Sequence, residues 1–432
     1  MYRTLSVMFG FQFVLFSCND DHRGDSTGDS DASPSCEADL LDSGDPAVCN
    51  GAPCNVEDGG PPVLFSDGGA EEPADLPPSH IILLVNDAVE CTGNGRTWQA
   101  AFKTIQEALL KGRTYFQESD GDSSIEIWVA AGTYYVHQTR RSDTLRLFPG
   151  VALYGGFGGD ETVRWERDPR SNLTEISGRN ASSDERVYTV VTGADGAVVD
   201  GVLITGGNAR DARYGGGMYN NDVSMRVSNC RFEQNYAGQS GGAMFNFNST
   251  VLVTDCTFID NDAGREGGAV FNLDSAVELR NSVFAFNHSW KVGGAVLNHS
   301  HSDTTFLNCT FYGNEVSDCG GAIADSHYST STIVNSILWH DQAAEAPELC
   351  QLDSYGEQIV SHSNIEGYVG GPFDLDVDPG FVDPEEADFH LRFDSPCINR
   401  GIDALAPETD RDGLSRIGGA DMGAYEHQGD DR

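Results

Sequence analysis

Residues 215–292 contain three consecutive copies of one pattern: GGGMYNNDVSMRVSNCRFEQNYAGQS (215–240), GGAMFNFNSTVLVTDCTFIDNDAGRE (241–266) and GGAVFNLDSAVELRNSVFAFNHSWKV (267–292). The opening Gly-Gly-Ala recurs at 293 and at 320, which sets a period of 26 to 27 residues. A repeat this short can bury its apolar face only against neighbouring copies, so the copies must stack into one continuous body.

Apolar and polar residues alternate within each copy, as at Met225 and Val227 or at Val251 and Val253. A period of two indicates β-strands, and the Gly and Asn residues between them indicate corners. A propeller blade needs about forty residues, and a leucine-rich repeat needs a leucine framework that this chain lacks. The sequence therefore predicts an all-β fold, a single-stranded right-handed parallel β-helix whose coils are about 4.8 Å apart.

Asparagine and aspartate recur in step with the coils, so that each side-chain amide can bond to the same residue in the coils above and below. Two such ladders are predicted: Asn220, Asn246, Asn272, Asn298 and Asp325, and Asn229, Asp255, Asn281, Asn308 and Asn335. A third series with the same period is Asn235, Asn261, Asn287, Asn314 and Asp341.

Cysteines in the repeat fall one residue after the second ladder and point inward. Cys230 and Cys256 would lie in adjacent coils about 4.8 Å apart, which a disulfide allows. Ser282 and Ser336 take the same place in other coils, so a small core residue is an equally good interpretation.

Looser strand patterns at 125–136, 145–157 and 187–205 bring the expected number of coils to nine or ten, a rod on the order of 45 Å. Each open end of such a rod is a sheet edge that needs covering. An N-terminal capping helix is predicted between Thr97, its N-cap, and Gly112.

The predicted domains follow from this pattern. Residues 80–345 form the β-helix with its N-terminal cap, residues 346–427 form C-terminal coils and a cover for the far end, and residues 428–432 are a tail.

Residues 1–17 contain a basic residue, Arg3, followed by an apolar run that is too short to span a membrane. This pattern is typical of a secretory signal. The run ends in Leu-Phe-Ser-Cys18, which resembles a bacterial lipobox, so Cys18 is the predicted site of lipid attachment and membrane anchoring. An ordinary secretion signal is the alternative. Residues 18–79 are predicted to be an acidic, disordered tether, because 19–79 contain 15 Asp or Glu and a single Arg.

The chain of 432 residues has a net charge of −41, which excludes nucleic-acid binding because phosphate contacts need a basic face.

Eleven cysteines without CxxC spacing indicate an oxidising compartment, and lipidation of Cys18 would leave ten that can pair. No cofactor is predicted. Asp410 and Asp412, before Gly413, are a weak Ca²⁺ candidate that an Asp-Gly turn explains equally well.

The repeats carry a family resemblance. Phe-x-x-Asn, as in Phe232 to Asn235, followed by Gly-Gly-Ala, resembles the repeat of chlamydial polymorphic outer-membrane proteins, which are surface adhesins. That resemblance supports the predicted architecture, a β-helix of the pectin-lyase-like kind. Adhesion follows from it only by analogy.

The tail carries a second resemblance. DPGFVD (378–383), DFHL (388–391), SPCINRG (395–401) and DMGAYE (421–426) are similar to the end of secreted bacterial β-helix proteins with a choice-of-anchor Q domain. Members of that group reach the surface by different sorting signals, so the lipobox would be the anchor of this chain.

Folds of this kind often carry polysaccharide lyases or glycoside hydrolases, which need a base near carboxylates. Lys291 is the only Lys in the repeats, and the NTD, DD and GHG segments that polygalacturonase-like hydrolases carry at successive coils are absent from the repeats. We therefore predict a secreted, lipid-anchored protein of the outer membrane or cell surface that binds a glycan or a surface protein, with no catalytic residues. A lyase or hydrolase, or a structural envelope component, is the alternative.

Overall fold

The computed structural model describes residues 80–210, 213–353, 355–368 and 370–429, together with two short strands near the N-terminus. These strands, Val48–Cys49 and Ala52–Pro53, pair antiparallel. The predicted signal sequence, Cys18 and the rest of the predicted tether lie outside the described residues.

The described chain winds into a parallel β-helix of about nine turns, as predicted. Sheet A contains ten strands: His80–Val85, Ser124–Ala130, Ala152–Phe157, Val198–Asp200, Ser224–Ser228, Thr250–Thr254, Ala276–Arg280, Asp303–Leu307, Thr330–Val334 and Glu357–Ser361. Sheet B contains nine: Gly132–Tyr135, Thr174–Ser177, Leu203–Thr205, Arg231–Glu233, Thr257–Ile259, Val283–Ala285, Thr310–Tyr312, Ile337–Trp339 and Asn364–Ile365.

Two smaller parallel sheets lie between these strands, sheet C in eight of the turns and sheet D in five. Sheet C contains eight strands: Leu145–Arg146, Val191–Thr192, Met218–Asn221, Met244–Phe247, Val270–Leu273, Val296–His299, Ile323–Ser326 and Leu349–Gln351. Sheet D contains five: Asn208–Ala209, Tyr236–Ala237, Asp262–Ala263, His288–Ser289 and Glu315–Val316. Antiparallel pairs outside the helix are Arg179–Asn180 with Ser183–Arg186 and Phe381–Asp383 with Asp388–Leu391.

The register places identical residues directly above one another. Phe232, Phe258, Phe284 and Phe311 are paired strand to strand and fully buried. Their rings stack at centroid distances of 4.9, 4.7 and 4.6 Å with planes within 6° of parallel. The coil spacing thus equals the spacing at which aromatic rings stack, which makes the Phe column part of the continuous core.

The repeated Gly-Gly pair has a steric cause. Gly241 has φ +69°, and a Cβ there would lie 2.4 Å from Met244 O. At Gly242 a Cβ would lie 2.3 Å from Gly268 O in the next turn. The first glycine supplies a left-handed corner and the second allows adjacent backbones to approach closely.

The N-terminal cap differs in detail from the predicted helix. Thr97 caps a 3₁₀ turn, Trp98–Ala100, and the α-helix α1 spans Ile105–Glu118 with Thr104 as N-cap and Glu107 completing a capping box. The two helical pieces are separate because Phe102 is extended and bridges Val85. The apolar side of α1 packs into the start of the core, as expected of a cap.

The C-terminal region also differs from the expected end cover. After the last strands of sheets A, B and C, the chain turns back, and residues 379–427, here named the C-terminal strap, lie along the outside of sheet B. The strap bonds to Asn335, Asn308, Asn281 and Thr257, one in each of four successive turns. The outer side of sheet B is apolar here, and it packs against Phe381, Phe389, Leu391, Cys397, Met422 and Ala424.

Cys230 and Cys256 are separate, fully buried thiols, so the disulfide considered for them is not formed and the small-core-residue interpretation describes this place. Cys309 and Cys397 are free as well, so not all ten remaining cysteines pair. Cys91 is disulfide-bonded. Cys319 and Cys350 form a disulfide with a Cα separation of 5.8 Å that joins the last two turns.

Candidate functional site

The ladder on sheet C is continuous and buried. Asn220 Nδ2 donates to Asn246 Oδ1 at 2.8 Å, and the same bond recurs in each following turn until Asn298 donates to Asp325 at 2.9 Å. The amides of Asn246, Asn272 and Asn298 therefore have donor and acceptor bonded within the core, where an unpaired polar group would be costly, whereas Asn220 Oδ1, at the start of the ladder, has no partner among the described residues.

The second predicted series is not one continuous ladder. Its members all have left-handed φ angles of 44° to 54°, as corner residues do. Asn281 donates to Asp255 at 3.0 Å and Asn335 to Asn308 at 3.2 Å, whereas Asn229 donates to Asp200. Other bonds of this series hold the strap: Asn308 Nδ2 donates to Asp421 O at 2.9 Å and Asn281 Nδ2 to Thr409 O at 2.8 Å. These residues fasten the strap to the helix.

The third series forms the most densely bonded ladder. Asn235, Asn261, Asn287 and Asn314 each donate both the backbone N–H and Nδ2 to the Oδ1 of the next member, with Nδ2 distances of 3.1, 3.0, 2.9 and 2.7 Å. The series ends at Asp341.

Both continuous ladders end in aspartate, which has a simple physical reason. The last amide of a ladder would have no acceptor in a following turn, whereas a carboxylate only accepts. Asp325 accepts from Asn298 and Ser331 and, through its second oxygen, from Gln358 Nε2 at 2.7 Å.

Asp341 has a different neighbour. Its side chain is in hydrogen-bonding contact with the carboxyl of Glu348, whose Oε1 also accepts from the Asp341 backbone N–H at 3.3 Å. Asp341 and Glu348 are 5% and 4% exposed. Asp341 Oδ2 and Glu348 Oε2 have no hydrogen-bond partner among the described residues. The ladder therefore ends in a buried pair of carboxyl groups.

Burial raises the pKa of both carboxyls, and the negative charge of Asp341 raises that of Glu348 further. Glu366 acts in the same direction on both residues. Two carboxylates in contact cannot both ionise easily, so the pair holds one proton between its members near neutral pH.

This pair lies at a cleft of about 820 Å³ beside the carboxyl-terminal turns. The described lining residues are Phe286, Tyr312, Gly313, His340, Asp341, Gln342, Ala346, Pro347, Glu348, Leu349, Ile365, Glu366, Gly367, Tyr368 and Glu385. They include four carboxyl groups and three aromatic carbocycles but neither Lys nor Arg. The cleft offers hydrogen-bond acceptors together with apolar ring surface.

Side chains around the cleft are held by mutual contacts. Tyr312 lies 3.3 Å from Glu385 Oε1, and burial together with Glu385 raises the pKa of the Tyr312 hydroxyl to about 12, so it remains a donor. His340 Nδ1 lies 3.8 Å from Glu366 Oε2, which also accepts from the His340 backbone N–H at 2.8 Å. Glu366 and Glu385 are thus fixed beside the carboxyl pair.

The Ca²⁺ candidates are bonded to the protein itself. Asp410 accepts backbone N–H groups from Asp412, Leu414 and Glu426. Asp412 contacts His390 at 2.8 Å and Arg170 at 3.0 Å, so the Asp-Gly turn is the better description of this segment. Among the residues that the structure describes, no three His, Cys, Asp or Glu side chains are arranged to hold a metal ion.

Sequence reasoning placed Asp341 in a repeated series but missed its pairing. The visible signal was a carboxylate at a place where four other turns have asparagine. Glu348 lies in a segment without repeat character, and only the fold brings it to the end of the ladder.

Comparison with known protein families supports the fold. The family model described as right handed beta helix region matches residues 168–338. The crystal structure of pectate lyase Pel9A is similar over 81% of this chain and 97% of that chain, with 12% sequence identity and a TM-score of 0.37. No curated protein matches the chain. The resemblances to polymorphic outer-membrane repeats and to choice-of-anchor Q proteins stay predictions.

The described part of the chain also contains no helix that is long and apolar enough to cross a membrane.

Proposed function

We propose that this protein is a secreted, lipid-anchored binding module of the bacterial surface, and that its acidic cleft binds a glycan without chemical conversion. The observation that carries the proposal is the cleft itself, in which four carboxyl groups and three aromatic rings line one concave space. Sugar hydroxyls donate to carboxylates, and sugar rings pack on aromatic faces. The absence of Lys and Arg from the described lining, with the net charge of −41, favours a neutral or amine-bearing glycan over a polyuronate.

The geometry of the carboxyl pair supports binding rather than hydrolysis. In most glycosidases two carboxyl groups flank the scissile bond at about 5 to 9.5 Å, which leaves room for the sugar or a water. Asp341 and Glu348 instead contact each other directly. A lyase would need a base beside carboxylates that hold the substrate. The one candidate base in the described lining is His340, whose ring lies close to Glu366.

One observation favours hydrolysis as the second candidate. Burial and Asp341 keep Glu348 protonated at neutral pH, and a protonated carboxyl is what a general acid requires. A hydrolase would have to separate the two carboxyls when substrate binds.

The localisation is proposed from the sequence. The apolar residues 1–17 and the lipobox-like Cys18 support export and lipidation, and the acidic segment that follows supports a spacer between the membrane and the β-helix. Globomycin treatment of expressing cells, with mass spectrometry of the mature N-terminus, tests lipidation. Secreted chain that begins at another residue would contradict it.

Glycan binding is tested with the purified full-length chain on an array of neutral, amine-bearing and uronate glycans, followed by an assay for new reducing or unsaturated ends. Retention of neutral or amine-bearing glycans without new ends is expected. Release of new ends would establish the hydrolase or lyase instead, and preferential retention of polyuronates would contradict the proposed selectivity.

A further inference from the structure

We propose that the floor of the cleft is a subsite for a primary ammonium group, and that Asp341 and Glu348 select a glycan that carries free amines. The inference rests on the proposed function, because it names the chemical class of the ligand in the same cleft. The ammonium takes the place of the proton that the two carboxyls share, and the Glu348 side chain turns toward the cleft to admit it.

The two outer oxygens of the carboxyl pair receive no hydrogen bond from the described residues. Asp341 Oδ2 and Glu348 Oε2 belong to side chains more than nine-tenths buried, and neither oxygen has a hydrogen-bond partner among the described residues. A buried acceptor without a donor destabilises the fold, more so when it is charged. A ligand that donates two N–H groups would satisfy both oxygens.

The two ladder ends of the same fold have different partners. Asp325 ends the ladder on sheet C as Asp341 ends the third series, and the Gln358 amide donates to its second oxygen. A Gln side chain beside Asp341 would stabilise the fold in the same way as Gln358 does beside Asp325. A second carboxyl in this place has no structural benefit over an amide, whose oxygen could accept the Asp341 backbone N–H as Glu348 does, but it doubles the negative charge available to a cation.

The surroundings of the pair in the cleft are acidic. The other charged and titratable groups that line the cleft with the pair are Glu366, Glu385, His340, Tyr312 and Tyr368. Two of these are carboxyls, and His340 lies beside Glu366. The field in the cleft is therefore negative, which favours a cationic ligand group over a neutral one of the same shape.

Proton release follows from this arrangement. At neutral pH the unoccupied pair holds one proton, and an ammonium that binds between the carboxyls displaces it. Affinity for an amine should then rise with pH until the amine itself loses its proton.

Chitosan and chitin oligosaccharides are matched probes, because they share one backbone and differ in whether the nitrogen is free or acetylated. Isothermal titration of the full-length chain at pH 6, 7 and 8, in two buffers of different ionisation enthalpy, measures affinity and proton release together. We expect chitosan to bind at least about tenfold more tightly than chitin at pH 7, with about one proton released per occupied site.

Asp341→Asn and Glu348→Gln should each remove this preference, while Asp325→Asn, a ladder carboxylate outside the cleft, should retain it. Equal binding of chitosan and chitin by the wild-type chain would overturn the ammonium subsite and leave glycan binding intact. A preference for chitosan that persists in both pair variants would overturn it too. A lysine-rich peptide that binds in an Asp341-dependent way while neither sugar binds would uphold the subsite and overturn the glycan.

Discussion

Gln358 Nε2 donates a hydrogen bond of 2.7 Å to Asp325 Oδ2 and so completes the bonding of the last carboxylate of one ladder. Asp341 occupies the corresponding place at the end of the other continuous ladder, but the side chain that contacts it is another carboxyl, Glu348. The same residue type at two ladder ends thus meets opposite partners, and the same substitution should have opposite effects.

Asp341→Asn should raise the free energy of unfolding at pH 7 by about 1 kcal/mol, because the new amide donates to Glu348 without the proton that the two carboxyls must otherwise hold between them. Asp325→Asn should lower it by about 1 kcal/mol, because its amide would face the amide of Gln358. Guanidinium unfolding of both variants of the full-length chain measures the two values. If the free energy of unfolding changed with the same sign in both variants, the different partners, Glu348 and Gln358, would not be what decides the effect.

The pH dependence of stability should show the same pair. The pKa values of Asp341 and Glu348 are raised from 3.8 and 4.5 chiefly by burial, so the folded chain keeps protons that the unfolded chain releases above about pH 4. Stability therefore falls as the pH rises from 4 toward the raised pKa values. Unfolding at pH 5 and pH 8 should show a larger fall in the wild type than in Asp341→Asn, and equal falls would contradict the assignment.

The repeat made much of the fold predictable. A period of 26 to 27 residues with alternating apolar residues defines stacked strands, since no other arrangement buries the short repeats, and the Asn246 and Phe258 positions follow from the same period. The predicted ladder on sheet C is continuous for this reason.

Features without a period were not predictable in the same way. The helix start moved from Thr97 to Thr104 because a tertiary contact of Phe102 with Val85 interrupts the apolar stripe. Glu348 reaches Asp341, and the strap reaches Asn281, only through chain reversals that local sequence does not specify. The site therefore lies where the periodic part of the chain meets the aperiodic part.

The phenylalanine column should contribute to stability according to the number of stacked neighbours. Phe284 has a ring on each side, at 4.7 and 4.6 Å, and is fully buried. Phe284→Ala should lower the free energy of unfolding by about 3–5 kcal/mol, since it leaves a cavity and breaks two stacks. Phe393→Ala, at a residue 71% exposed, is the control and should change it by less than about 0.5 kcal/mol. Similar losses in the two variants would contradict the role of the column.

His390 should fasten the strap in a pH-dependent way. Its ring lies between Asp412, at 2.8 Å, and Asp388, at 2.5 Å, and these carboxylates, Asp412 first, raise the pKa of His390 to about 9 against its usual 6.5. The protonated ring therefore stabilises the folded state fully below pH 6.5, and this contribution is lost as the pH rises through 9.

His390→Gln should lower the free energy of unfolding at pH 6 by about 0.5–1 kcal/mol, a modest amount because the side chain is nearly half exposed and water screens both contacts. At pH 10 the neutral ring and the amide should differ less, apart from the loss of the ring contact with Tyr425 at 4.2 Å, which is present at every pH. Hydrogen exchange of residues 379–427 at both pH values localises the effect to the strap. His301→Gln is the matched control, because the His301 side chain is 71% exposed and its contact with Asp274 is long, at 3.8 Å. A loss of stability in His390→Gln that is the same at pH 6 and pH 10 would show that packing, rather than the charged ring between two carboxylates, holds the strap.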